Sequence, residues 1–151
     1  MDAEMVKELL DVCFLAKKAT ETMPPLPPGM GPRHVHILDA IQTLEARGED
    51  VHVGDVSTML KITTPSITRL IAELEAHGYV FKKGGSRDRR YVSVFLSPQG
   101  RDFHSDYVKA FHAVLAEKLA GVSDEDCRTV GRVVRALLSA LRDMTSATQE
   151  A

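Results

Sequence analysis

Apolar positions recur at helical spacing through most of this chain. Met5, Val6, Leu9, Leu10, Val12, Cys13 and Ala16 predict a helix over residues 5–21. Pro24 and Pro25 end it, and the Pro- and Gly-rich residues up to Pro32 predict a stiff connection rather than a linker between domains. Ile37, Leu38, Ile41 and Leu44 form the stripe of a second helix, which Gly48 stops. A short third helix is expected over Val53–Leu60, with Val56 and Leu60 inward. The fourth helix is the most fully specified. Thr63 or Thr64 supplies a cap, Pro65 suits the first turn, and Ile67, Leu70, Ile71 and Leu74 make an i, i+3, i+4, i+7 face that Gly78 closes.

The period then changes. Residues 79–83 and 91–96 carry the β-branched and aromatic side chains of strands, joined through Gly84-Gly85-Ser86 by a loop too long for a tight turn, which is expected to project. Ser97 and Pro98 start a long fifth helix with Phe103, Tyr107, Ala110, Phe111, Val114, Leu115 and Leu119 on its stripe. Ser123 and Asp126 read as a capping box for a sixth helix that carries Val130, Val133, Val134, Leu137, Leu138, Leu141 and Met144, and residues 145–151 read as frayed. The predicted fold class is mainly α with a small β-hairpin.

Composition narrows the class. With 151 residues, 44% hydrophobic and 26% charged, the chain reads as one soluble globular domain, not a disordered, collagen-like or disulfide-stapled one. The uncharged stretch 22–32 has 11 residues, well short of the ~20 apolar ones a membrane span needs. An acidic start, Met1-Asp2-Ala3-Glu4, shows no export signal, and Cys13 and Cys127 lack metal-type spacing; both features suit a cytoplasmic protein with free thiols.

The formal net charge of −2 is unevenly spread. Between Lys82 and Arg101 stand six basic residues against one acid, Asp88, a local charge of +5 on an acidic body. A basic segment on an acidic body directs phosphate contact to one face, although a solvated charge run has the same composition. The neighbouring helix favours the first reading. A short helix, a turn, a second helix and a hairpin form a winged helix-turn-helix, whose second helix enters the major groove. Removing the apolar stripe from residues 64–77 leaves Thr64, Pro65, Ser66, Thr68 and Arg69 on the outer side of the first turns, suited to phosphates and base edges. A capped surface helix would also use such hydroxyls, but here the acids Glu73 and Glu75 come only in its second half. In the loop, Arg87, Arg89 and Arg90 suit the negative potential of a narrow minor groove, and Asp88 suits an internal acceptor for a guanidinium.

At this point the chain resembles the MarR-type winged-helix transcriptional regulators over nearly its whole length. The resemblance is carried by Asp88-Arg89-Arg90-Tyr91-Val92-Ser93-Val94-Phe95-Leu96-Ser97, similar to the family's Asp-x-Arg wing and Leu-Thr strand end, with Gly100 following. It implies that Arg90 is the minor-groove arginine, Asp88 its supporting acid, and Thr64, Ser66, Thr68 and Arg69 DNA contacts. It also implies the α/β MarR-like architecture: a winged helix-turn-helix over 33–97 and a helical dimerisation region over 1–23 and 98–145, within one domain. The long apolar stripes of the last two helices independently call for a second copy to cover them. A homodimer of this kind would read a pseudo-palindromic operator on double-stranded DNA.

The resemblance further implies control by a small-molecule effector, phenolic or aromatic, in a pocket bordered by Met30, His34 and His36 with Cys13 nearby. A Pro-rich turn with solvated histidines is the plainer alternative. Cys13-Phe14 is similar to the hydroperoxide-sensing branch, but the three tyrosines lie elsewhere and Cys13 falls on an apolar stripe, where a buried inert thiol is expected. No Cys/His/acid cluster with metal spacing, no phosphate loop and no nucleophile motif is present, so neither metal, cofactor nor enzymatic activity is expected. The expectation is a ligand-responsive DNA-binding repressor. An oxidant switch at Cys13 and a winged helix that binds protein instead of DNA are the alternatives.

Overall fold

The structure, a computed structural model, describes residues 1–48, 50–84 and 92–149. Their order is α1 (Ala3–Glu21), α2 (Pro32–Ala46), α3 (Val53–Leu60), α4 (Thr64–Ala76), β1 (Val80–Lys83), β2 (Ser93–Leu96), α5 (Pro98–Phe103), a π-helical segment (His104–Lys109), α6 (Ala110–Lys118) and α7 (Asp124–Gln149). Two compact units result, one of residues 20–113 and the other of residues 1–19 with 114–151.

The first unit owns the buried core. The stripe residues Ile37, Leu38, Ile41 and Leu44 of α2, Val56 of α3, and Ile67, Leu70, Ile71 and Leu74 of α4 are all buried, together with Val51, Tyr79, Val80, Val94 and Leu96. Leu60 packs against this cluster but stays partly exposed. The two strands pair antiparallel with Val80 opposite Leu96 and Lys83 opposite Ser93. An isolated bridge from His52 to Ser93 extends the pairing towards α3.

Polar clamps fix the ends of these elements. Ser97 caps α5 as expected, accepting from the Gly100 amide at 3.0 Å, and its own hydroxyl donates to the Gly78 carbonyl at 2.6 Å. Glu45 holds two partners, accepting from the Leu96 amide at 3.1 Å and from Arg101 at 2.7 Å. His104, which is buried, meets Asp39 at 2.9 Å.

The fifth helix departs from expectation in its middle. The π-helical segment turns His104 and Val108 into the core, while Phe103 and Tyr107 stack on one another at 5.0 Å between ring centroids. Phe103 also meets Tyr79 at 5.3 Å, and the Tyr107 hydroxyl donates to the Pro24 carbonyl at 2.7 Å.

In the second unit, α1 and α7 line an apolar cleft of about 580 Å³ with Val6, Leu9, Leu10, Val133, Leu137 and Leu141 among its walls. Neither α1 nor α6 buries a residue. Val130, Val134, Leu138, Leu141 and Met144 of α7 are all exposed, at spacings of 4, 4, 3 and 3 that keep them on one side. The capping box is formed: Asp126 accepts from the Ser123 amide and hydroxyl at 3.1 and 2.6 Å, and the Asp126 amide donates to Ser123 Oγ at 3.1 Å. Helix α7 then runs to Gln149, beyond the point where fraying was expected.

Two predictions come from this packing. A Cβ on Gly100 would lie 2.0 Å from the Tyr79 carbonyl oxygen, a backbone atom that already accepts from the Ser97 amide. Gly100→Ala should therefore destabilise by at least the upper end of the ~1–3 kcal/mol typical of overpacking, read as a lowered unfolding midpoint. Separately, the Ser123 hydroxyl, and after it the Ser123 amide, hold the Asp126 carboxyl below the ordinary aspartate range. Because the native value is depressed, this cap should stabilise above the ordinary aspartate pKa and be lost as pH falls through the native one. Carboxyl NMR titration should show that low midpoint, and Ser123→Ala should return it towards the ordinary value.

Candidate nucleic-acid interface

The α3–α4 turn begins with Lys61 in the left-handed region, at φ 57°. Ser57 closes this turn from α3. Its carbonyl accepts the Ile62 amide at 3.3 Å, and its hydroxyl donates to the Ile62 carbonyl at 2.6 Å and accepts from Thr64 at 3.2 Å. The expected cap at Thr63 takes another form: its hydroxyl donates to Ser66 Oγ at 3.0 Å and binds no backbone amide. Sequence reading missed Ser57, whose role depends on a turn conformation that no local motif announces.

Helix α4 presents two faces. Ile67, Leu70, Ile71 and Leu74 are buried, whereas Thr64, Pro65, Thr68 and Arg69 are exposed and Ser66 is half-buried. Thr68 donates its hydroxyl proton to the Thr64 carbonyl at 2.9 Å. With their hydroxyl protons so used, Thr64 and Thr68 keep acceptor lone pairs on the exposed part of the helix that also carries Arg69. Thr64 and Thr68 also line a groove of about 550 Å³ together with His52, Val53 and Gly54 from the start of α3, Lys82 of β1, and Val92.

The basic window is less free than its charge suggests. Lys82 pairs with Glu75 at 2.6 Å and Arg101 with Glu45 at 2.7 Å, so these two cations serve the fold. Lys83 is exposed. The expected wing residues Arg87, Asp88, Arg89 and Arg90 lie outside the described residues.

The residues expected at an effector pocket occupy varied surroundings. Met30 packs against the core, and His36 is exposed. His34 is buried rather than solvated; its Nδ1 accepts the Gly31 amide at 3.0 Å and its Nε2 donates to Glu73 at 2.8 Å. With Gly31, Pro32, Arg33, Arg69 and Glu73 it borders a cavity of about 410 Å³. Cys13, half-buried on α1, belongs to the other unit. Glu73 is half-buried and bonds His34 and, at 3.4 Å, Arg69.

A family model described as the MarR family matches residues 29–90, a span that begins in the turn before α2 and includes α2, α3, α4 and β1. The DNA complex of FabT from Streptococcus pneumoniae contains a chain 26% identical to this one, with a TM-score of 0.60 over 95% of this chain and 99% of that one. Over residues 29–90 the chain is similar to the MarR family. A second structure, a MarR/EmrR family transcriptional regulator from Acinetobacter sp. ADP1, is 16% identical and shares the fold with a TM-score of 0.70, covering 95% of this chain and 99% of that one. The transcriptional repressor MprA of Escherichia coli (strain K12) is 26% identical over 106 residues, 70% of this chain and 60% of MprA. The chain therefore spans about 60% of the length of that curated relative. Among the described residues, no helix is long and apolar enough to cross a membrane.

Ser57 generates a prediction of its own. Ser57→Ala removes both hydroxyl bonds of the α3–α4 turn and should cost about 1–2 kcal/mol, since it leaves the Ile62 carbonyl without its donor. Chemical denaturation checks this, and amide hydrogen exchange should speed up most at the start of α4.

Proposed function

We propose that this chain is a dimeric, sequence-specific DNA-binding transcriptional regulator, a repressor released by a small-molecule effector in the cytoplasm. The observation that carries the reading is the division of α4, whose buried aliphatic side leaves Thr64, Pro65, Ser66, Thr68 and Arg69 along the other. Hydroxyls and a guanidinium at the N-terminal end of the second helix of a helix-turn-helix have the chemistry that major-groove base edges and phosphates require. In this proposal Arg87, Asp88, Arg89 and Arg90 form the wing tip, with Arg90 in the minor groove and Asp88 supporting it.

Residues 33–97 serve as the DNA-binding module, and 1–23 with 98–145 as the dimerisation region. The exposed apolar stripe of α7 supports the second part, because Val130, Val134, Leu138, Leu141 and Met144 offer a face that a second copy would bury. Two recognition helices in one dimer would meet major grooves about 34–36 Å apart, so the operator would be a pseudo-palindrome. Repression follows from occupancy of a promoter. The repressor MprA and the DNA-bound FabT support the reading by their similarity to this chain.

Fluorescence anisotropy with a duplex tests it. For ~6–10 phosphate contacts per dimer, affinity should fall ~10³–10⁵-fold between 50 and 200 mM salt. No salt-dependent binding at the lower concentration would favour a winged helix that docks protein. Arg90→Ala should weaken binding to almost all sequences, whereas Arg69→Ala or Ser66→Ala should change preference at particular positions by ~1–3 kcal/mol. Leu138→Glu, which places a charge in the α7 stripe, should shift the sedimentation coefficient from dimer to monomer; an unchanged dimer would remove α7 from the interface.

A further inference from the structure

One carboxylate on α4 serves two partners of different kinds. Glu73 Oε2 accepts from His34 Nε2 at 2.8 Å, and Oε1 of the same group faces Arg69 Nη1 at 3.4 Å. The His34 ring is buried on α2, whereas the Arg69 side chain is 66% exposed. We infer that His34 is a positioning residue for DNA readout: it holds Glu73, and Glu73 in turn sets the direction of the Arg69 guanidinium. This inference rests on the DNA-binding reading of α4.

The backbone dictates the protonation of the ring. The Gly31 amide lies 3.0 Å from Nδ1, and an amide N–H only donates. Nδ1 is therefore the acceptor, and the ring proton sits on Nε2, where it is given to the carboxylate. Gly31 stands at the N-cap of α2, so the bond also satisfies one donor at that helix end. A second histidine lies close to the same turn and bonds the same residue. His77 Nδ1 donates to the Glu73 carbonyl at 2.7 Å, and a Cβ on Gly29 would lie 2.4 Å from His77 Nε2.

The geometry bears on readout because of what an unanchored pair would do. An exposed arginine paired at i, i+4 with a free glutamate keeps many rotamers, as both long side chains wander. Fixing the acceptor to a buried ring removes the glutamate's share of that freedom before any DNA arrives. A guanidinium held in one direction can choose between bases, while a wandering one serves mainly as a positive charge. Engagement on both oxygens also keeps the Glu73 charge from standing alone beside phosphates.

The test compares the purified full chain with Arg69→Ala, Glu73→Ala, His34→Leu, His34→Gln and the double variant of His34→Leu with Glu73→Ala. Duplexes selected by the unaltered protein provide the probe, together with its single-position changes, and anisotropy reads relative affinity. Arg69→Ala should reduce preference at one position of each half-site by ~10-fold or more. Glu73→Ala and His34→Leu should flatten that same position, the double variant no further than either, and the salt dependence of both should stay that of the unaltered protein. His34→Gln, which keeps a donor facing Glu73, should recover most of the preference. Full preference in Glu73→Ala or His34→Leu overturns the inference, as do additive losses in the double variant. If His34→Leu does not fold, Glu73→Ala alone decides, since alanine suits a half-buried helix position. An unchanged profile in Arg69→Ala, or no selected duplex at all, instead removes the DNA reading of Arg69 and this inference with it.

Discussion

Burial of one aliphatic face of α4 is the constraint on which the candidate site depends. Ile67, Leu70, Ile71 and Leu74 are each buried within the cluster that α2, α3 and the strands complete. Burying a side chain of this size contributes roughly 1.5–3 kcal/mol, so rotating α4 to expose any of them costs more than hydroxyl contacts could return. The helix therefore has one allowed orientation. Thr64, Thr68 and Arg69 lie off the buried stripe of the same helix and therefore face outwards.

Around that core, polar side chains do the joining. Glu45 meets both the Leu96 amide and Arg101, His104 meets Asp39, and His34 meets Glu73. Each links segments distant in sequence, and each places a polar atom of a buried or half-buried residue against a partner, as a low-dielectric interior demands. The second unit differs in kind. Its α1 and α6 contain no buried residue, and α7 carries an apolar stripe in the open. Such a surface is costly in water, and a fold that keeps it has a reason to associate.

Much of this was legible because periodicity and caps are local. The stripe of α2, the bounds of α3, the inward face of α4, the Ser97 cap and the Ser123–Asp126 box each depend on residues within a few positions of one another. What escaped the sequence was non-local or conformational. The π-helical segment takes His104 inward to meet Asp39, a partner 65 residues away. Ser57 acts through the left-handed turn at Lys61. The burial of His34 was not visible because its acceptor, Glu73, stands 39 residues further on. For the site itself, the exposed residues of α4 followed directly from subtraction of the core stripe, whereas the arginine loop rests on its residue types alone.

The acids of α4 resolve an apparent conflict of charge. A helix proposed to meet a polyanion should avoid glutamates, yet Glu73 and Glu75 follow Thr68 by about one and a half and two turns. Neither is free. Glu73 is divided between His34 and Arg69, and Glu75 pairs with Lys82 at 2.6 Å. Each carboxylate is thus matched to a donor of the same unit, and those contacts fix the very side chains that border the groove. The net charge of −2 consequently says little about what approaches this face. What matters within a Debye length of about 10 Å is the local arrangement, and there the acids organise cations instead of opposing a phosphate.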